Sequence, residues 1–218
     1  MQLQVAPSIL SADFANLGRD IRMLNKAADI IHLDIMDGTF VPNISFGFPV
    51  IEAVSKIAKI PMDAHLMVVN PHKWFERCAK LGVQMCSFHL EAVGARKAAS
   101  NLKAIRALGM KAGLVINPDI PVEKLYPFIG KADFFLIMSV FAGFGGQKFI
   151  YESLDKVAAL KAEIDARGDS APIEVDGGVS ASNAAALREA GATMLVAGSA
   201  VFKAEDPAAA IAAIRNAR

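Results

Sequence analysis

Lys80-Leu81-Gly82-Val83-Gln84-Met85-Cys86-Ser87-Phe88-His89-Leu90 and, one helix-length later, Ala107-Leu108-Gly109-Met110-Lys111-Ala112-Gly113-Leu114-Val115-Ile116 decide the fold. Each segment ends a helically spaced stretch with a glycine, the residue that most easily leaves a helix through a left-handed turn. Each then enters a short apolar run. Between them, Ala95 to Leu108 repeats its apolar residues with helical spacing, and Glu189-Ala190-Gly191 repeats the same ending before Thr193–Ala197. Helix, glycine, buried strand is the grammar of a parallel sheet with helical crossovers.

Outward from there the pattern holds along the chain. Eight strand-sized runs lie near Leu3–Leu10, Ile30–Ile35, Pro61–Val68, Gln84–Leu90, Lys111–Ile116, Phe134–Val140, Ile173–Val175 and Thr193–Ala197. They are rich in Val, Ile, Leu or Phe, as strands covered on both faces are. Helical spacing occupies Leu17 to Ala28, Val50 to Ala58, Pro71 to Leu81, Leu154 to Arg167 and Ala181 to Ala190. Eight strand–helix units in 218 residues predict an α/β protein of the (β/α)8 TIM-barrel type, with a doubly wound sheet as the alternative. No Gly/Ser linker or low-complexity tract divides the chain, so residues 1–218 read as one domain.

Composition narrows the partners. Apolar residues make up 54% and charged residues 21%, enough for a large core, and the net charge of +1 gives no reason to expect nucleic acid or a membrane surface. An anionic ligand must therefore be held by local features. The two cysteines, Cys78 and Cys86, lack metal-type spacing and read as buried thiols of a reducing compartment. Met1-Gln2-Leu3-Gln4-Val5-Ala6-Pro7 has no basic start, and no segment reaches the ~18 to 20 apolar residues of a membrane span, so a cytoplasmic location is expected.

The polar residues of the strands carry the chemistry. In His32-Leu33-Asp34-Ile35-Met36-Asp37-Gly38, alternation puts His32, Asp34 and Met36 on one face. A His and an Asp aimed into a barrel are costly without a partner. A metal is one such partner; a buried His–Asp pair, or Asp37-Gly38 acting as a turn, is the plainer explanation. Pro61-Met62-Asp63-Ala64-His65-Leu66-Met67 likewise shares Asp63, His65 and Met67 on one face, and Glu174-Val175-Asp176-Gly177-Gly178 ends a strand on an acid and two glycines. His32, Asp34, His65 and Asp176 thus fall near the C-terminal ends of three strands, where barrel active sites assemble. That convergence favours a divalent metal site of the imidazole–carboxylate type.

Glycines follow the last strands: Gly143, Gly145 and Gly146 in Ala142-Gly143-Phe144-Gly145-Gly146-Gln147, then Gly177-Gly178, then Gly198-Ser199. Backbone N–H groups there can approach a phosphate closely, and barrel phosphate sites favour these loops. His72 reads as exposed at a helix start. His89 reads as a mouth residue or a structural hydrogen-bonding group, and Trp74 and Phe75 as helix packing.

Taken together, Ala6-Pro-Ser-Ile-Leu-Ser-Ala-Asp13, His32-Leu-Asp-Ile-Met-Asp-Gly38, Phe40-Val-Pro-Asn43, His65-Leu-Met67, Gly143-Phe-Gly-Gly-Gln147, Glu174-Val-Asp-Gly-Gly178 and Gly198-Ser199 resemble the ribulose-phosphate 3-epimerase family, in family order from end to end. The resemblance implies one divalent ion (Zn or Fe(II) first, Mn or Co next) held by His32, Asp34, His65 and Asp176. It implies Asp34 and Asp176 as acid and base, and Ser8 and His65 as substrate contacts. It also implies Met36, Met67 and Met138 lining the reacting centre, and Gly143, Gly145, Gly146, Gly177, Gly178, Gly198 and Ser199 holding phosphate, with Asp176 also touching substrate. Two departures from the family stand out: Phe141-Ala142 occupies the place where Asn-Pro is usual, and Thr39 the place where His is common.

The implied activity is an isomerase of carbohydrate metabolism. It epimerises carbon 3 of D-ribulose 5-phosphate to give D-xylulose 5-phosphate, in the pentose phosphate pathway. The reaction removes a C–H proton beside a carbonyl and returns it on the opposite face, through an enediolate, which needs a carboxylate on each face. Allulose 6-phosphate or another hexulose phosphate is the alternative substrate, and a non-catalytic sugar-phosphate-binding barrel the alternative class. No redox cofactor is required, and no dinucleotide glycine fingerprint follows the first strand. A homo-oligomer is expected.

Overall fold

The computed structural model describes residues 3–217; Met1, Gln2 and Arg218, with their share of the N-terminal reading and of the 1–218 domain, lie outside the described residues. Eight strands form one parallel sheet: β1 (Gln4–Pro7), β2 (Ile31–Met36), β3 (Met62–Met67), β4 (Met85–His89), β5 (Lys111–Ile116), β6 (Phe134–Met138), β7 (Ile173–Asp176) and β8 (Met194–Ala197). From β2 to β8 each pairs with the next strand in the chain, β1 pairs with β8, and a single parallel bridge between Ser8, just past β1, and His32 closes the gap to β2. The ring therefore closes as a (β/α)8 TIM barrel, and the doubly wound alternative is excluded.

The helices are α1 (Leu17–Ala27), α2 (Phe48–Ser55), α3 (Phe75–Lys80), α4 (Leu90–Ala107), α5 (Ser153–Ala166), α6 (Ala181–Ala190), α7 (Ser199–Phe202) and α8 (Pro207–Arg215). Gly82, Gly109 and Gly191 adopt φ of 76°, 82° and 112°, the left-handed turns expected of them. The helix expected over Pro71 to Leu81 divides at Trp74 into a 3-10 turn, Pro71–Lys73, and α3. The helix expected from Ala95 begins at Leu90 and is interrupted at Gly94 (φ 72°, ψ 160°). Between β5 and β6 the chain makes two 3-10 turns, Val122–Lys124 and Tyr126–Phe128, in a segment where Pro118, Pro121 and Pro127 withhold backbone donors.

Leu33, Ile35, Leu66, Phe88, Leu114 and Ile137 face outward into the shell of helices, one continuous apolar layer. Trp74 and Phe75 pack there against Phe48 and Phe88, and His72 is exposed. Cys78 and Cys86 are free, buried thiols. The barrel interior is different. Ile30, Met85, Phe134 and Met194, from the starts of alternate strands, plug its lower end together with Ala6 and Val196. Above them the buried side chains turn polar: Asp63, Glu174, His32, Ser87 and then the mouth.

Gly113 makes that plug possible. A Cβ there would lie 2.3 Å from the Phe134 ring, and the ring is enclosed on all sides. Gly113→Ala is expected to destabilise the fold by about 1–3 kcal/mol through overpacking. Urea unfolding checks this: the midpoint falls while the slope stays constant. An unchanged midpoint would mean that the ring has a second place to lie.

Candidate active site

Strand alternation and register assemble the polar cluster. His32 and Asp34 project from the same face of β2, and Asp34 lies opposite His65 on β3. Asp176 closes the group from the end of β7. One donor atom from each of the four lies within 4.8 Å of all the others. His65 Nδ1 is 3.1 Å from Asp34 Oδ1 and 3.7 Å from Asp176 Oδ2. His32 Nε2 is 3.3 Å from Asp34 Oδ1 and 4.0 Å from Asp176 Oδ2. Ser8 caps the group from β1, its Oγ donating to Asp34 Oδ2 at 2.5 Å.

This donor set fits a divalent cation. His32 Nδ1 is engaged by Asp63 Oδ2 at 2.8 Å, while its Nε2 is buried and makes no hydrogen bond to protein. A lone pair aimed at two carboxylates and a second imidazole is an unfinished arrangement that a cation completes. A second group, His32, Asp63 and Glu174, lies deeper and shares the His32 ring. Glu174 carries two buried oxygens without partners, and burial together with the neighbouring Asp63 charge pushes its carboxyl well above the usual range. That favours its neutral form.

The two mouth carboxylates are pushed apart. Burial works to raise Asp34, but the nearby charges of His32 and His65 and the hydrogen bond from His65 outweigh it and hold Asp34 below the usual carboxylate range. Asp176 is raised, first by burial and then by the Asp34 charge beside it. Burial also opposes a charge on His32, yet the neighbouring carboxylates of Asp34 and Asp63 hold its pKa well above that of free imidazole. His65 is raised in the same way by the carboxylates of Asp176 and Asp34 beside it. Two carboxyls facing the same space with pKa values pushed in opposite directions is the arrangement that acid–base chemistry uses.

A cavity of about 340 Å³ opens directly above. Ser8, Asp34, Met36, Met67, Met138 and Asp176 line its floor and walls. Gly143, Gly145 and Gly146 form one part of the rim; Gly177, Gly178, Gly198 and Ser199 form another. The structure thus brings the expected residues to one space. His65, expected both as a ligand and as a substrate contact, is fully buried beside Asp34 and is not among the residues that line the cavity. His89 is likewise fully buried, with His65 on one side and Glu91 on the other, and does not line the mouth. Asp37 is a turn residue whose carboxylate accepts from the backbone N–H groups of Thr39, Phe40 and Val69.

The rim glycines are packed as well as permissive. Gly178 has φ 61°, and a Cβ there would lie 2.6 Å from the Phe149 backbone nitrogen. The loop after β6 is held by Asn43, whose side-chain amide donates to the Gly143 carbonyl at 2.8 Å, and by Gln147, which donates to Phe141 O and Phe144 O. Ala142, at a position where the resembled family usually has Pro, uses its N–H to reach Asn117 Oδ1 at 3.0 Å.

Sequence reading missed the second layer of this site. Asp63 was visible as the same-face neighbour of His65, and its contact with His32 requires the β2–β3 register. Glu91 and Asn117 carry no strand signal at all, because they sit on α4 and just past β5. Lys203 lines the cavity, whereas Lys148 does not.

A model of the ribulose-phosphate 3 epimerase family matches residues 4–202. A ribulose-phosphate 3-epimerase of Synechocystis sp. is 48% identical over 215 residues, covering 98% of this chain and 94% of the relative. A ribulose-phosphate 3-epimerase of Bacillus subtilis is 44% identical over 218 residues, covering 99% of this chain and 100% of the relative. Among solved structures, a 3-hexulose-6-phosphate synthase superposes with a TM-score of 0.73 at 22% identity, over 100% of this chain and 99% of that one, which speaks to the fold alone.

Proposed function

The chain belongs to the ribulose-phosphate 3-epimerase family, and from that premise we propose that it interconverts D-ribulose 5-phosphate and D-xylulose 5-phosphate, with a divalent ion at His32, Asp34, His65 and Asp176. The observation that carries this reading is the convergence of those four donors, within 4.8 Å of one another, with Asp34 and Asp176 on the wall of a sugar-sized cavity. Homology makes the chain a carbohydrate epimerase; the ion, the residue roles and the direction of proton flow are the proposal. Zn and Fe(II) suit a two-imidazole, two-carboxylate set, with Mn and Co next.

Asp34 and Asp176 rise from different strands and face the same cavity. In one direction Asp34, as carboxylate, takes the carbon 3 proton, and the C–H electron pair enters a carbon 2–carbon 3 double bond. Negative charge then develops on the carbon 2 oxygen. Asp176, protonated, returns a proton to the opposite face of carbon 3, and the two carboxyls have exchanged states. The reverse reaction starts from there. A divalent ion at this site supplies Lewis-acid stabilisation of that oxyanion charge. Met36, Met67 and Met138 give the planar enediolate a polarizable, water-poor surface.

The phosphate end would lie on the glycine rim. Because a Gly178 side chain would meet the Phe149 backbone, Gly145 is the cleaner site to test: a Cβ there has only ordinary contacts, 3.6 Å to Ser11 Oγ and 3.9 Å to Leu10. Gly145→Ala is expected to raise KM roughly tenfold, as an extra methyl in a fitted pocket does. Lys148→Ala, a solvated charge away from the cavity wall, should change KM by less than about twofold. Steady-state kinetics of both variants decides, and the opposite ranking would move the phosphate to a side-chain site.

Acid is expected to release the ion. The raised pKa values of His32 and His65 mean that each ring keeps its second proton to a higher pH than free imidazole does. One proton must leave each ring before a nitrogen can donate its lone pair, so affinity rises with pH through that range and falls on acidification. Chelator competition at about pH 6 and about pH 8.5 measures it; tighter binding at the lower pH would contradict the assignment. The function itself is tested by giving the metal-loaded protein D-ribulose 5-phosphate and following D-xylulose 5-phosphate. Five-carbon ketose phosphate should turn over faster than six-carbon, and no turnover of either would overturn the proposal.

A further inference from the structure

An imidazole offers a metal only one nitrogen, and what holds the other nitrogen decides which. For His32 a carboxylate does so directly, Asp63 Oδ2 lying 2.8 Å from Nδ1. His65 has no carboxylate behind it. Its Nε2 lies 2.9 Å from Nε2 of His89, with the ring planes 25° apart and the ring centroids 5.0 Å apart. Two imidazole nitrogens at that distance share one hydrogen, so one ring donates and the other accepts.

The far side of His89 sets the direction. His89 Nδ1 is 3.0 Å from Glu91 Oε1, and the backbone N–H of Asn117 donates to the same oxygen at 3.0 Å. Glu91 is held below its usual range: burial raises it, but the His89 and backbone hydrogen bonds outweigh that. An ionised carboxylate only accepts. His89 must therefore place its hydrogen on Nδ1, which leaves a lone pair on Nε2. Facing that lone pair, His65 must carry a hydrogen on Nε2. The remaining nitrogen of His65, Nδ1, faces Asp34 Oδ1 at 3.1 Å and Asp176 Oδ2 at 3.7 Å.

The fold builds this line in. His89 ends β4 and Leu90 begins α4, so Glu91 falls in the first helical turn, two residues behind the ring it holds. Both histidines are fully buried, and Phe40 covers His89 with ring centroids 4.8 Å apart, so solvent is kept from the bond between the two rings.

We propose that Glu91 and His89 are positioning residues: they hold the His65 ring with its hydrogen on Nε2, so that His65 ligates a divalent ion through Nδ1. This deepens the metal-site reading above and rests on it. Without Glu91, His89 is free to exchange its hydrogen between nitrogens and to present an N–H to His65. That reverses the line and leaves the ligating nitrogen unspecified.

Zinc is the ion to use. In the zinc-loaded full-length protein with nitrogen-15-labelled histidine, long-range proton–nitrogen correlation should show a hydrogen on His65 Nε2 and zinc on Nδ1. Glu91→Ala should weaken zinc binding by about 10- to 100-fold, the usual cost of losing such support. Glu91→Gln keeps an oxygen acceptor and should bind zinc within about threefold of the parent. A spectrum with the hydrogen on Nδ1, Glu91→Ala binding zinc as tightly as the parent, or a folded Glu91→Gln as weak as Glu91→Ala would each overturn the proposal. If Glu91→Ala does not fold, the spectrum of the parent protein decides alone. If the parent binds no zinc at all, the metal reading itself falls and takes this proposal with it. Zinc bound through the wrong nitrogen defeats this proposal only.

Discussion

Asp34→Asn and Asp176→Asn should each lower net epimerisation by at least about 10²- to 10⁴-fold, the range for a lost general acid or base. The loss is larger where the ion is also weakened. Each residue would serve twice. Asp34 faces the cavity, accepts the Ser8 hydroxyl at 2.5 Å, and lies within 3.3 Å of a nitrogen on both histidines. Asp176 faces the same cavity and lies 3.7 Å from His65 Nδ1. Asparagine preserves the shape and removes the charge and the titrating proton, so the barrel should stay folded while proton transfer at one face stops. Steady-state turnover of D-ribulose 5-phosphate, with metal content measured on the same samples, checks this. A folded variant retaining more than about a tenth of the activity would remove that residue from the acid–base pair.

Stripping the ion should abolish activity and leave the barrel standing. The fold's stability lies elsewhere, in the outward apolar layer and in the plug of Ile30, Met85, Phe134 and Met194 at the far end. Without an ion three of the four side chains keep partners: His65 pairs with Asp34, His32 with Asp63, and Asp34 also accepts from Ser8. Secondary structure by circular dichroism is therefore expected to survive chelation, with a lower melting temperature because the ion binds only the folded state. Zn or Fe(II) should restore turnover, and Mn or Co should restore part of it. Rigorously metal-free protein with full activity would contradict the account.

The barrel was legible because its signals are local. The strand runs are short and rich in Val, Ile, Leu or Phe, and a glycine at 82, 109 and 191 marks where a helix ends. The four proposed ligands were legible for the same reason: alternation on β2 and β3 predicts which side chains point inward, and β7 ends on its acid. What lay out of reach depends on register and depth. That His32 meets Asp63 follows from pairing β2 with β3 in one particular alignment. That His65 is fully buried against Asp34 depends on where each side chain stops along the barrel axis, which no one-dimensional pattern records. The Glu91–His89–His65 line crosses from α4 through β4 to β3, and a lone glutamate after a strand carries no signal for it. Phe141-Ala142 was visible as a departure from the family, but the hydrogen bond from Ala142 to Asn117 was not.

Exchange of the carbon 3 hydrogen with deuterium oxide, followed by NMR for each pure epimer, tests the two-carboxylate account most directly. The samples are Asp34→Asn and Asp176→Asn with bound metal verified. Asp34→Asn should exchange one epimer only, using Asp176, and Asp176→Asn should exchange only the other, using Asp34. Metal-loaded variants that both exchange the same epimer would contradict the opposed pair, leaving one aspartate as a ligand alone and another group to carry the second proton.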